Sequence, residues 1–219
     1  MPQNQRPKLS PNLHSLYAIV DGDVCVSVGR TPIDVARAFL SAGAKLIQLR
    51  CKSMPSGPFL ELALAVVEDF RRADATLIIN DRADIAVLSG AGGLHVGQTD
   101  LAPDDARKVI GPSPLLGLST HTREQWQAAV REPVSYIAIG PVFGSGTKAT
   151  GHDAVGLTIV EQASAAAAMH SLPAVAIGGI TIDNARSVID AGAASVAVIS
   201  DLVTGDPEAR CRDFLRALA

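Results

Sequence analysis

The chain has 219 residues, 47% of them hydrophobic, 4% aromatic and 19% charged, and 19 Lys+Arg against 22 Asp+Glu leave a net charge of −3. A chain this long and apolar can bury a core without disulfides or a structural metal, and its low net charge excludes disorder. The mildly acidic balance, with no run of Lys or Arg, excludes a polyanionic surface partner. Neither nucleic acid nor membrane is expected as a partner, whereas small anions in a local basic pocket stay admissible.

Met1 to His14 is rich in Pro, Gln and Asn, lacks an apolar segment, and reads as a loose tail before one domain over residues 15–219. No later stretch approaches the roughly 18 apolar residues of a membrane span. Cys25, Cys51 and Cys211 are odd in number, far apart and form no CxxC. They suggest neither a disulfide framework nor a zinc site, and a reducing cytoplasm fits.

Leu16–Val20 opens the ordered part as a short run apolar on both faces, the pattern of a buried parallel strand. Thr31-Pro32 then supplies a cap and an N1 proline for a helix over Ile33–Ser41, closed by Ala42-Gly43. A strand over Lys45–Leu49 precedes a helix over Pro58–Arg72 with Leu60, Leu64, Val67 and Phe70 at helical spacing. Strand Leu77–Ile79, helix Asp84–Leu88, strand Gly93–Val96 and helix Pro103–Ile110 follow, the last ending at Gly111 in a left-handed cap. Strand Leu115–Leu118 leads to helix Arg123–Val130, and strand Tyr136–Ile139 to the Ala-rich helix Thr158–Met169. Strand Ala174–Ile177, helix Asp183–Ala191 with Gly192 as its cap, strand Val196–Ile199 and helix Glu208–Leu218 complete the alternation. Eight strand–helix units in this length predict an α/β fold, a single closed (β/α)8 TIM barrel of parallel strands. A doubly wound open sheet is disfavoured because no GxGxxG follows the first strand.

Chemistry in such a barrel sits where strands end, and the polar residues collect there. Asp81 and Asp100 are read as closing the adjacent third and fourth strands and can share one divalent cation, their hard oxygens suiting Mg²⁺; each could instead cap a helix or pair with Arg82 or Arg50. Arg50, Lys52 and Lys148 place cations on the same rim, a pattern that fits a polyphosphate clamp. Gly178-Gly179 and Ile199-Ser200, read as each leading into a helix, suit a phosphate cradle. Cys51, between two cations, has the setting of a lowered thiol pKa, although no nucleophilic use is expected. Ser119 and His121 lie two apart without establishing a nucleophile–base pair, and His95 could be a packed core residue; His14, His152 and His170 read as surface. Val142 to Val155, with Gly144, Gly146 and Gly151, reads as a lid.

At QLRCK, INDRADIAV, GLHVGQTD, GLSTHT, GPVFGSGTK, AIGGI and AVIS, in that order from about Leu16 to Ala219, the chain resembles the thiamine-phosphate synthase family. The resemblance implies a Mg²⁺-dependent transferase that joins 4-amino-5-hydroxymethyl-2-methylpyrimidine diphosphate to a thiazole phosphate, giving thiamine phosphate and pyrophosphate by a dissociative route. It implies that Gln48, Arg50, Lys52, Asn80, Ser119 and Lys148 hold the pyrimidine diphosphate, with His95 near the pyrimidine. It further implies Asp81 and Asp100 as metal ligands, and Ser145, Thr147, Gly179, Ile199 and Ser200 at the thiazole phosphate. Arg50, Lys52, Lys148 and Ser119 would carry catalysis. The chain departs from the family pattern at Cys51, at Thr99, and at Ser145-Gly146-Thr147, where Thr-x-Thr is usual. The alternatives are a thiazole tautomerase of related barrel fold, another phosphosugar barrel enzyme, and a non-catalytic sensor of a phosphate ligand. Self-association into a homo-oligomer is left open.

Overall fold

The computed structural model describes residues 13–144 and 154–219. Eight parallel strands close in chain order into a barrel: β1 (Leu16–Asp21), β2 (Leu46–Arg50), β3 (Thr76–Asn80), β4 (Gly93–Val96), β5 (Leu115–Thr120), β6 (Tyr136–Ile139), β7 (Ala174–Ile177) and β8 (Ser195–Val198). β1 pairs with both β2 and β8, which leaves no sheet edge. The helices are α1 (Gly22–Ser27), α2 (Pro32–Ala42), α3 (Ser56–Arg72), α4 (Ala83–Ser89), α5 (Pro103–Ile110), α6 (Arg123–Ala129), α7 (Gly156–Met169), α8 (Ala185–Asp190) and α9 (Pro207–Ala217), with a 3-10 turn at Ser200–Val203. The expected (β/α)8 barrel is therefore the fold.

Local chemistry explains most element boundaries. Thr31 accepts the Asp34 N–H at 3.2 Å, Pro32 occupies the first helical turn, and Gly43 ends α2 in the left-handed conformation (φ 101°, ψ 11°). Gly192 also has positive φ (97°), whereas Gly111, expected to be left-handed, takes φ 77° with ψ −175° while its N–H donates to the Arg107 carbonyl. The buried face of α3 is Phe59, Leu62, Ala63, Val66, Val67 and Phe70. Leu64, expected on that face, is half exposed, so the apolar stripe is turned from the predicted one. Helix α1 was not anticipated; Asp21 caps it by accepting the Asp23 and Val24 N–H groups at 3.1 Å.

Alternation along the strands separates two cores. Leu16, Ala18, Val20, Ile47, Leu49 and their counterparts face the helices, while Tyr17, Ile19, Leu46, Ile78, Tyr136, Ala138, Val175 and Ala197 fill the barrel. Leu13, assigned to the tail by composition, packs against this inner set. Strands β2, β3 and β5 run further than expected, so Arg50, Asn80 and Ser119 belong to the ladder itself. Every polar residue at those strand ends therefore inherits a fixed direction from the pleat.

Candidate active site

On the β2–β4 side of the mouth, a cleft of about 370 Å³ is lined by Arg50, Lys52, Asn80, Asp81, His95, Asp100, Ser119 and His121, among others. Asp81 directly follows β3, holding the ladder through its N–H to the His95 carbonyl at 2.8 Å, and adopts positive φ (62°). Asp100 does not close a strand as expected. It lies past β4 in a short turn, held by the Gly97 N–H at 2.8 Å, and this turn brings it back toward Asp81. Burial, and then the Asp100 carboxylate close by, push the Asp81 carboxyl above the usual aspartate range, while Lys52 opposes them from 3.1 Å. Two hard carboxylates this close, one of them disfavoured as an anion by the other, fit a divalent cation that keeps part of its coordination for water and phosphate. No group of three or more His, Cys, Asp or Glu positioned to hold a metal exists among the described residues.

The cations are not arranged as three free groups facing two acids. Arg50 forms an ion pair with Asp21, buried at the end of β1, and Lys52 with Asp81; Lys148 lies outside the described residues. Asp21 was not anticipated as a site residue. It joins the α1 cap to the guanidinium and so fixes where Arg50 can point. Arg82, a candidate partner for the metal acids, pairs instead with Asp84. Cys51 points into the outer core, where burial raises its thiol to about 12, the reverse of the effect expected from flanking cations. All three cysteines are buried and free.

The floor of the site is a buried polar chain that crosses the barrel. Gln48 Nε2 donates to the Tyr17 hydroxyl at 2.7 Å, and the Tyr17 and Tyr136 hydroxyls lie 2.9 Å apart. Tyr136 in turn meets His95 Nδ1 at 3.0 Å, and His95 Nε2 meets Ser119 Oγ at 2.9 Å. Both tyrosines, hidden in apolar runs, escaped the sequence reading; a buried phenol needs a polar partner, and these are the two tyrosines of the chain. Burial pushes both hydroxyls upward, so they stay neutral. Ser119 bonds His95, not His121, whose Nδ1 sits 2.7 Å from the Gly140 carbonyl. The Ser–His–Tyr order resembles a catalytic triad but ends in a neutral phenol, which cannot stabilise an imidazolium as a carboxylate does. The Gln98 amide also donates to the Ser119 carbonyl at 2.6 Å, fixing this strand end.

The second cavity, about 210 Å³, lies over β5–β8 and includes Ser119, His121, Gly178, Gly179, Ile199, Ser200 and Asp201 in its wall. Gly178 and Gly179 both have positive φ (103° and 64°). A Cβ on Gly178 would lie 2.5 Å from Pro141 Cβ, and one on Gly179 would lie 2.6 Å from the Gly144 carbonyl oxygen. The turn is completed by Asn184, which accepts the Thr181 N–H at 2.8 Å and donates to the Gly179 carbonyl at 3.0 Å. The helix after this pair, expected from Asp183, starts at Ala185, because Asn184 holds the preceding residues as a turn, and Ser200 opens a 3-10 turn. Asp201 accepts the Ile182 N–H at 2.8 Å and pairs with Arg210 through both oxygens (2.7 and 2.9 Å).

A third, narrow pocket of about 30 Å³ joins Gln48, Arg50, Asn80, His95 and Ser119 to Ile177 and Ile199. The structure thus gathers Gln48, Arg50, Lys52, Asn80, Asp81, His95, Asp100 and Ser119 on one side, and Gly179, Ile199 and Ser200 on the other. Ser145, Thr147 and Lys148, the central part of the expected lid and His152 lie outside the described residues. His14 and His170 are exposed, as expected.

Residues 16–202 match the family model described as thiamine monophosphate synthase. The chain belongs to this family. A thiamine-phosphate synthase of Koribacter versatilis is 44% identical over 212 residues, covering 94% of this chain and 96% of the relative. The thiamine-phosphate synthase of Roseiflexus castenholzii is 42% identical over 184 residues, covering 84% and 79%. The thiamine phosphate pyrophosphorylase of Pyrococcus furiosus superposes with a TM-score of 0.84 at 28% identity, covering 95% and 96%. Membership of the thiamine monophosphate synthase family accords with a site that opens at the C-terminal ends of the strands. No helix among the described residues is long and apolar enough to cross a membrane.

Proposed function

We propose that the protein condenses 4-amino-5-hydroxymethyl-2-methylpyrimidine diphosphate with a thiazole phosphate to give thiamine phosphate and pyrophosphate. The observation that carries this reading is the meeting of the two cavities: Ser119 and His121 line both the acidic–cationic cleft and the glycine-walled one. Two phosphorylated substrates bound from opposite sides would bring their ring ends together at that shared wall, which supplies the proximity a bimolecular reaction needs.

In this reading the diphosphate lies against Arg50 and Lys52, with Lys148 joining them from the β6–α7 loop. Gln48, Asn80 and His95 orient the pyrimidine beneath it. Asp81 and Asp100 would hold Mg²⁺, which when bound supplies positive charge to the departing diphosphate. The bond from the pyrimidine methylene to the diphosphate oxygen breaks and pyrophosphate leaves with the electron pair. The thiazole nitrogen then supplies the pair for the new C–N bond. Gly179, Ile199 and Ser200, with Ser145 and Thr147 from the loop, hold the thiazole phosphate in place. No side-chain nucleophile is needed, because the reaction depends on positioning and on charge stabilisation of the leaving group.

The test is pyrophosphate release from the purified protein with Mg²⁺ and each substrate alone or both together. Release and thiamine phosphate are expected only with both. Isomerised thiazole phosphate without joined product would make the protein a tautomerase instead.

A further inference from the structure

The polar chain under the site has a direction, and that direction fixes what Ser119 offers a ligand. The Gln48 amide nitrogen donates to the Tyr17 oxygen, so the Tyr17 hydrogen is turned to the Tyr136 oxygen. Tyr136 must then direct its own hydrogen to His95 Nδ1, which makes Nδ1 an acceptor and places the imidazole proton on Nε2. Nε2–H donates to Ser119 Oγ, and the Ser119 hydrogen is left to point into the cavities that Ser119 lines. Each hydroxyl hydrogen within the buried part of the chain has an acceptor, which such a network requires.

We propose that Tyr17 and Tyr136 are positioning residues that hold His95 as the neutral Nε2–H tautomer and thereby present the Ser119 hydroxyl as a hydrogen-bond donor to the bound substrate. Tyr17, Gln48 and Tyr136 are 2% exposed or less, so water does not compete for these bonds. The His95 and Tyr136 rings are stacked with centroids 5.6 Å apart, and Tyr17 meets Tyr136 edge-on at 5.9 Å. Gly117 leaves the room this needs: a Cβ there would lie 2.1 Å from Tyr136 Cζ and 2.4 Å from His95 Nδ1. Turning the Gln48 amide over would reverse every bond, placing the proton on Nδ1 and making Ser119 donate to His95 instead of to the ligand. Gln48 lies beside the proposed pyrimidine, so one residue sets the polarity of the floor while bordering the ligand.

The role of Ser119 as substrate donor rests on the proposed synthase reading, whereas the tautomer does not. Nitrogen-15 NMR of the ligand-free wild-type protein is expected to show His95 protonated on Nε2, with Nδ1 shifted as a hydrogen-bond acceptor. A proton on Nδ1 overturns the proposal, and this measurement needs no variant to fold. In Tyr136→Phe the Nδ1 signal should move toward that of an unbonded ring nitrogen, and kcat should fall about tenfold with KM for the diphosphate within about threefold. Tyr17→Phe, which frees the Tyr136 hydrogen from its upstream constraint, should shift the Nδ1 signal less than Tyr136→Phe and cost less. In a Ser119→Ala background Tyr136→Phe should cost no more than about twofold further, since both changes remove the same donor. Multiplying losses would mean that Tyr136 only supports the fold, and would overturn the proposal. A wild-type protein that makes no thiamine phosphate defeats the synthase reading, and the NMR result then decides the polarity of the chain by itself.

Discussion

The two sides of the barrel mouth, each proposed to hold a phosphate, are built by opposite means. Over β2–β4 the chemistry resides in side chains: Arg50 held by Asp21, Lys52 against Asp81, and Asp100 folded back by its turn. Over β7–β8 it resides in main chain, with Gly178 and Gly179 in conformations and spaces that exclude a side chain. A site made of side chains is broken by removing atoms, and one made of backbone is broken by adding them. The two sides should therefore fail under opposite substitutions and toward different substrates.

Removing charge should have the largest effect. Asp81→Asn keeps the fold, because Asn, like Asp, tolerates the positive φ found there better than other side-chain-bearing residues, yet it removes a proposed metal ligand and the partner of Lys52. Turnover should drop by at least about 100-fold, as measured by pyrophosphate release across a Mg²⁺ titration. Full activity would remove Asp81 from the metal site.

Adding one methyl should damage the other side. Gly179→Ala places a Cβ against the Gly144 oxygen and Phe143 in a left-handed backbone, costing about 1–2 kcal/mol of stability. KM for the thiazole phosphate should rise about tenfold while KM for the pyrimidine diphosphate stays near its wild-type value. Equal loss toward both substrates would contradict two separately built sides.

The smallest effect concerns acid. The Asp81 carboxyl is raised in the metal-free fold, so its ionised form costs stability. That cost is absent below the ordinary aspartate range and fully present above the raised value. Between the two, metal-free wild type should lose melting temperature relative to Asp81→Asn as pH rises, by about 1–3 °C. Millimolar Mg²⁺ at neutral pH should reverse the difference by binding only the native wild-type site.

The barrel was legible because eight apolar runs, each too short for a helix, alternate with capped amphipathic segments. The charged rim was legible because Asp and Lys at strand ends have few structural reasons to be there. Helix α1 was not, since Asp21-Gly22-Asp23 reads as a turn after the strand and the three consecutive apolar residues Val24, Cys25 and Val26 carry no helical spacing. Partnership was the harder loss. Tyr17 and Tyr136 lie 119 residues apart and look like ordinary core aromatics until the pleat turns both inward. Arg50 was visible as a cation, but its pairing with Asp21 depends on β1 and β2 being neighbours in register.

The hydrogen-bonded floor also bears on how the barrel closes. Its members come from β1, β2, β4, β5 and β6, and each reaches the interior only in one phase of its strand. A slip of one residue in any of them would turn a phenol, an amide or an imidazole outward into the aliphatic layer beneath the helices. An all-aliphatic interior would tolerate such a slip far better, since branched side chains on either face are nearly interchangeable. The polar chain thus discriminates among barrel registers, and misaligned closures are penalised before a substrate ever arrives.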